Sequence, residues 1–283
     1  MLEQAPTIGA RLLKLSYFHA PRLVFFRRHR SKTTRFVIVS HPRSGTNFLR
    51  DILNQQPKVF EAAEMFHTMP NVCSPREYLG KERLTLDDLD LYFTNLAVAK
   101  KLEAVGLTIF DKASCHSLSN DEVARLVVRN DIRPIFLIRR NLLKAVISLL
   151  RADRTGAWHL KVSGDLVQWP HSVSPPDALQ RQIGPIDVHE VQAWIAHTRT
   201  FLAHVEQSLK NRGKKYLTVF YEDLCLSGHE RTVQEVNRVL EFLGMTPISN
   251  YTPTLARTAS AAFYESIPNR QELVDATGFD LDA

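Results

Sequence analysis

Apolar residues fall along this chain in two rhythms. Short runs at Phe36–Val39, Leu107–Phe110, Ile135–Ile138 and Leu217–Tyr221 read as buried strands, and between them apolar positions recur at helical spacing. Leu142, Ala145, Val146 and Leu149 give one helical face, and the span 191–209 gives a second, long helix. Val233, Val236, Val239, Leu240 and Leu243 give a third, which ends at Gly244. Strands alternating with helices predict an α/β fold in three layers: a central parallel sheet flanked by helices, with ligands gathering at the carboxyl ends of the strands.

The first strand runs into a small polar turn, Pro42 to Gly45, and leaves it as a helix whose apolar face is Phe48, Leu49, Ile52 and Leu53. A strand, turn and helix so joined aim several backbone N–H groups and the positive helix end at one point, which suits a phosphate and makes the domain P-loop-like. A nucleoside-triphosphate loop ends in Gly-Lys-Ser/Thr, with the lysine on the phosphates and the hydroxyl on magnesium. Here Gly45 is followed by Thr46 and Asn47, and the cation, Arg43, comes earlier. This argues against the rival reading as a nucleotide kinase or GTPase. The third strand opens a second constellation, Pro134-Ile-Phe-Leu-Ile-Arg-Arg-Asn-Leu-Leu-Lys-Ala-Val-Ile-Ser148. Arg139 and Arg140 leave the sheet at its ligand edge, Asn141 is a helix N-cap, and Ser148 lies two turns on, so that an arginine reaching over the turn meets the Ser148 hydroxyl at a second anion.

At 283 residues and 44% hydrophobic composition the chain can bury one large core, and one domain is expected. The formal charge of +6 is unevenly placed: residues 1–50 hold ten Lys/Arg against one acid, Glu3, and the remainder holds 26 Lys/Arg against 29 Asp/Glu. Residues 1–34 therefore read as a basic arm, with Ile8, Leu12 and Leu15 at helical spacing, suited to a peripheral contact with a membrane surface. A purely membrane-binding, non-catalytic protein is the second rival. It leaves both anion motifs unexplained, and nucleic acid is not an expected partner. No apolar run approaches the ~20 residues needed to cross a bilayer. The three cysteines, 73, 115 and 225, lack any C-x-x-C spacing and fit free thiols in a reducing cytoplasm. The eleven histidines lack the companion ligands of a zinc site, so no metal is expected. The span 156–188, rich in Pro, Ser and Gly with Trp158 and Trp169, reads as a lid-like insertion.

Together these motifs resemble the family of sulfotransferases that use 3′-phosphoadenosine 5′-phosphosulfate (PAPS). Pro42-Arg-Ser-Gly-Thr-Asn-Phe-Leu49 is similar to that family's 5′-phosphosulfate loop, and Arg140 with Ser148, eight positions apart, to its 3′-phosphate pair. Phe220-Tyr-Glu-Asp-Leu224 followed by Val239-Leu-Glu-Phe-Leu-Gly244 is similar to its closing strand and helix. Within the family the likeness is to bacterial carbohydrate sulfotransferases, including those acting on nodulation factors and trehalose glycolipids. It is carried by Ile138-Arg-Arg-Asn141, by the run Arg151 to Trp158, and by Tyr264-Glu-Ser-Ile-Pro-Asn-Arg-Gln-Glu-Leu273. The resemblance covers about residues 36–275, within a domain assigned to 35–283.

What the resemblance implies is transfer of a sulfuryl group from PAPS to a hydroxyl of a carbohydrate or glycolipid acceptor, with adenosine 3′,5′-bisphosphate as product and no metal. Arg43 stands where many members carry lysine and is assigned to stabilise charge on the leaving phosphate. The N–H groups of Ser44, Gly45, Thr46 and Asn47 hold the 5′-phosphate, with the Thr46 hydroxyl helping, and Arg140 and Ser148 hold the 3′-phosphate. The base is Glu64, in Glu61-Ala-Ala-Glu-Met-Phe-His67, with Glu61 a direct competitor and His67 and His116 as runners-up. A histidine base elsewhere in the family falls nearer Ser114 here. Lys112, Arg154 and Trp158 are candidates for contacts around the acceptor, and Arg257 for the 3′-phosphate.

Overall fold

The protein is described by a computed structural model that covers residues 33–62, 64, 86, 88–90, 93, 101–111, 118–156, 158, 160–161, 183–256 and 261–282. Nearly all of the basic arm, most of the span 156–188, and His67, Lys112, Ser114, His116 and Arg257 lie outside the described residues. In chain order, β1 (Thr34–Ser40) leads to α1 (Thr46–Asn54), β2 (Val59–Glu61), β3 (Ala104–Ile109), α2 (Asn120–Val127), β4 (Ile132–Ile138) and α3 (Leu142–Thr155). There follow β5 (Leu160–Lys161), α4 (Val188–Asn211), β6 (Leu217–Phe220) and the short α5 (Tyr221–Cys225). The chain closes with α6 (His229–Phe242), β7 (Leu255–Ala256), α7 (Ala261–Glu265) and α8 (Arg270–Thr277).

Five strands form one all-parallel sheet in the order β2-β3-β1-β4-β6, and β5 and β7 pair separately as an antiparallel ribbon. This is the expected three-layer α/β architecture. β1 is central and covered on both faces, which is why it reads as a continuous apolar run rather than an alternating one. Phe36 and Ile38 pack toward α1 and α6, against Leu49, Ile52, Leu53, Val236, Val239 and Leu240. Val37 and Val39 face α2 and α4, against Val123, Leu126, Val127, Phe201, Val205 and Leu209. Phe36 sits in register with Gly106 of β3, and a Cβ at Gly106 would lie 2.2 Å from the Phe36 ring, so this strand gives up a side chain to seat an aromatic in its neighbour.

The structure extends and trims the expected elements. β3 starts at Ala104, because Thr34 of β1 already pairs there, and Tyr221 opens α5 instead of ending a strand. β2 and α2 stand outside the elements read from the sequence. β2 is three residues long on the sheet edge, whereas α2 carries a full capping box, Ser119 with Glu122, that was legible as a helix start. From β1 the chain crosses outward to β2 and β3, and from β3 back over β1 to β4. That reversal leaves a crevice at the carboxyl end of β1, where the polar turn sits. No helix among the described residues is long and apolar enough to cross a membrane.

Candidate active site

The turn after β1 is held open by backbone conformation. Gly45, the N-cap of α1, has φ +90°, and Arg43 has φ +63°, a left-handed conformation uncommon for a side-chain-bearing residue. A Cβ on Gly45 would lie 2.9 Å from the Tyr221 ring and 3.1 Å from Cys225 Sγ, so glycine is required both by conformation and by space. With glycine at the N-cap, no side chain caps the first turn of α1 from that position.

Buried polar contacts tie this turn to the end of β4. Ser40 Oγ lies between the Leu137 carbonyl and Ser44 Oγ. His41 is fully buried, accepts the Arg139 backbone N–H at Nε2 (3.1 Å) and meets the Pro42 carbonyl at Nδ1 (3.0 Å). Since Nε2 accepts, Nδ1 carries the proton, and the ring is neutral. Burial, with the Arg139 charge adding to it, pushes its pKa down to about 4 against the hydrogen bonds to Pro42 and Arg139. Trp194 of α4 packs edge-on against the same ring at 5.8 Å.

Cations crowd the crevice. Arg43 donates from Nε to Ser148 Oγ (3.1 Å) and from Nη1 to the Trp158 carbonyl (2.6 Å), both neutral acceptors. Arg139, which is buried, reaches the Arg43 carbonyl (3.4 Å) and the Tyr264 hydroxyl (3.3 Å), and lies over the Tyr221 ring at 4.5 Å. Burial first, then the charges of Arg139 and Arg151, lower the Arg43 pKa to about 10, with Tyr221 and Tyr264 opposing. Arg43 remains charged at neutral pH. A half-buried guanidinium beside other cations is stabilised by an incoming anion.

The acidic side lies at the carboxyl end of β2. Glu61 is buried, its carboxylate accepts from Thr108 Oγ1 of β3 (2.9 Å), and its backbone is clamped at N–H and carbonyl by the Asn54 side chain (2.7 and 3.0 Å). Glu64, three residues on, is half-buried. Burial pushes its pKa up to about 7, and the Glu61 charge adds to the rise, while Arg50 and Arg43 oppose it. The two competing carboxylates therefore differ in kind: Glu61 is fixed within the sheet, and Glu64 is poised near neutrality within reach of the Arg43 field.

At the second turn Arg140 and Ser148 have different partners. Ser148 is buried and bonded to Arg43, while Arg140 is exposed, stacked on the Phe220 ring at 3.8 Å and paired with Asp223 at 2.8 Å. Glu222 takes the backbone N–H groups of Arg140 (3.0 and 3.2 Å) and Asn141 (3.4 Å), and the Asn141 side chain caps α3 at the Lys144 N–H (2.9 Å). His41, Glu222 and Asp223 are structural partners of the site that sequence reasoning did not single out. The polar residue preceding Pro42 and the acid pair after β6 were the signals available.

A model of the sulfotransferase family matches residues 35–130, from β1 through the end of α2. Nodulation protein H of Rhizobium tropici is 28% identical over 245 residues, covering 84% of this chain and 87% of that protein. Nodulation protein H of Rhizobium meliloti (strain 1021) is 30% identical over 214 residues, covering 74% of this chain and 76% of that protein. With a relative 30% identical over about three quarters of both chains, and the family model matching β1, the turn after it and the strands that follow, the chain belongs to the sulfotransferase family.

Proposed function

We propose that this sulfotransferase takes its sulfuryl group from PAPS and delivers it to a hydroxyl of a carbohydrate or glycolipid. The observation that carries the reading is the half-buried Arg43 guanidinium, set by a left-handed backbone beside Ser148 and among Arg139 and Arg151, in a turn with room for no Cβ at Gly45. Those groups fit a dianionic 5′-phosphosulfate. The donor supplies an activated sulfur whose leaving group is a phosphate. The N–H groups of Ser44, Gly45, Thr46 and Asn47 hold that phosphate, and Arg43 meets the negative charge that grows on the bridging oxygen as the sulfur–oxygen bond breaks. Arg43 is charged throughout, so its role is electrostatic and it delivers no proton.

Glu64 is the base. It receives the acceptor hydroxyl's proton as that oxygen closes on sulfur, the electron pair of the broken bond going to the phosphate. A pKa near 7 suits a carboxylate to this task, because it is basic enough to take the proton and largely ionised just above neutrality. Glu61, bonded to Thr108 within the sheet, serves to raise it. Arg140 recognises the 3′-phosphate from the rim of the second turn. Ser148, bonded to Arg43, sets the guanidinium between the two phosphate sites. The acceptor class rests on likeness to the bacterial carbohydrate branch.

The test is calorimetric titration with adenosine 3′,5′-bisphosphate in the absence of magnesium, with ATP and the Arg140→Ala variant as controls. Micromolar binding that is lost in the variant, with ATP weak, is the expected result. Absence of binding by the folded protein would refute the donor assignment.

A further inference from the structure

The backbone N–H groups of the turn leading into α3 are already used. Arg139 gives its N–H to His41, and Arg140 and Asn141 give theirs to the Glu222 carboxylate. An internal anion thus sits where a helix N-terminus would otherwise receive a phosphate. Recognition of an anion at this turn is left to the Arg140 side chain. That guanidinium is 49% exposed, with one face on Phe220 and its edge shared between two acids: Asp223 at 2.8 Å and, more distantly, Glu222 at 3.9 Å.

The two acids are not equivalent. Glu222 is anchored by the backbone N–H groups of Arg140 and Asn141, one exposed and one part-buried, so moving it would break three hydrogen bonds, whereas moving Asp223 breaks one. Asp223, among the described residues, bonds through its carboxylate to Arg140 alone. It is the one that can leave. We propose that Asp223 is an internal competitor that occupies Arg140 until a ligand bearing a phosphate at this position displaces it. The inference rests on the assignment of Arg140 to the 3′-phosphate.

The physical basis is an exchange of anions on one guanidinium. A phosphate with close to two charges and three oxygens replaces a single carboxylate and recovers the lost ion pair with a surplus. A nucleotide without that phosphate offers nothing in exchange, so Arg140 and Asp223 stay paired and the site gains no affinity from the arginine. Asp223 thereby lowers affinity for the 3′-phosphorylated ligand, which must displace it, and leaves affinity for the other class nearly unchanged. Its removal should tighten adenosine 3′,5′-bisphosphate by roughly three- to tenfold, the scale of an exposed ion pair together with relief of a nearby like charge.

The experiment is calorimetric titration of the wild-type protein, Asp223→Asn and Asp223→Ala with adenosine 3′,5′-bisphosphate and with 5′-AMP, at one ionic strength. The expected result is tightening for the bisphosphate in both variants and a change of less than about twofold for 5′-AMP. In the Arg140→Ala background Asp223→Asn should not restore bisphosphate binding, since no guanidinium is then left to be released. Bisphosphate affinity that is unchanged or weaker in folded variants would overturn the inference while leaving the donor assignment standing. Wild-type protein that binds no bisphosphate would overturn both.

Discussion

Replacing Glu64 by glutamine should cost activity and add stability, and the second effect should depend on pH in a direction fixed by the site. The carboxyl group titrates near 4.5 in an unfolded chain and at about 7 in the fold. The folded state therefore holds a proton that the unfolded state has released between those values. Stability associated with the protonated group is fully present below pH 4.5 and is lost as pH rises through 7. The shift of about 2.5 units corresponds to roughly 3 kcal/mol at 1.36 kcal/mol per unit. Glutamine has the same shape and no charge to desolvate, so above pH 8 the variant should be more stable by up to about 3 kcal/mol, or on the order of 6 °C in Tm for a chain of this size.

Thermal unfolding of wild type and Glu64→Gln across pH 5 to 9 measures this. The two curves should nearly coincide near pH 5, where the wild-type carboxyl is protonated, and diverge to a plateau above pH 8. On the activity side, the wild-type rate at saturating substrates should fall about tenfold per unit below pH 7 as the base protonates, and Glu64→Gln should lose on the order of 10²- to 10⁴-fold. A Tm difference that is constant with pH would refute the raised pKa. Full activity in Glu64→Gln would refute its role as base and shift attention to Glu61 or a histidine.

His41 titrates the other way: its pKa is depressed from 6.5 to about 4, so the stability it contributes is present above 6.5 and lost as pH falls toward 4, and His41→Asn should flatten the acid limb of a Tm profile in that window. His41→Phe, which leaves the buried Arg139 N–H without an acceptor, should cost about 1–3 kcal/mol in denaturant unfolding and weaken bisphosphate binding by disturbing the second turn. Gly45→Ala places a methyl group 2.9 Å from Tyr221 at φ +90°, and should destabilise by roughly 1–3 kcal/mol and abolish bisphosphate binding measured by calorimetry. Arg43→Ala should lower kcat on the order of 10²-fold or more with a smaller change in acceptor KM, since the guanidinium is assigned to charge that develops in the transition state.

The parts of this fold that were legible in the sequence are those where one local pattern decides the structure. The β-branched run of β1 is buried on both faces, and the turn after it needs glycine at Gly45 on conformational grounds, so Phe36 to Leu49 announces its shape. The rest of the site is made by residues that meet only through the sheet. Arg140 and Ser148 share one helical segment, and spacing alone joins them, yet their partners come from elsewhere: Arg43 across from β1 takes the serine, and Asp223 beyond β6 takes the arginine. Glu61 and Glu64 look interchangeable in sequence and are separated by Thr108 and Asn54, which bind one into the sheet and leave the other poised. His41 is the clearest case. Between a strand and a proline nothing marks it as more than a polar turn residue, but parallel pairing of β1 with β4 sets the Arg139 N–H against its ring. With the Ser40 and Arg139 contacts beside it, that buried, neutral histidine ties the turn after β1 to the end of β4, and the proposed recognition of a donor at two phosphates draws on that link.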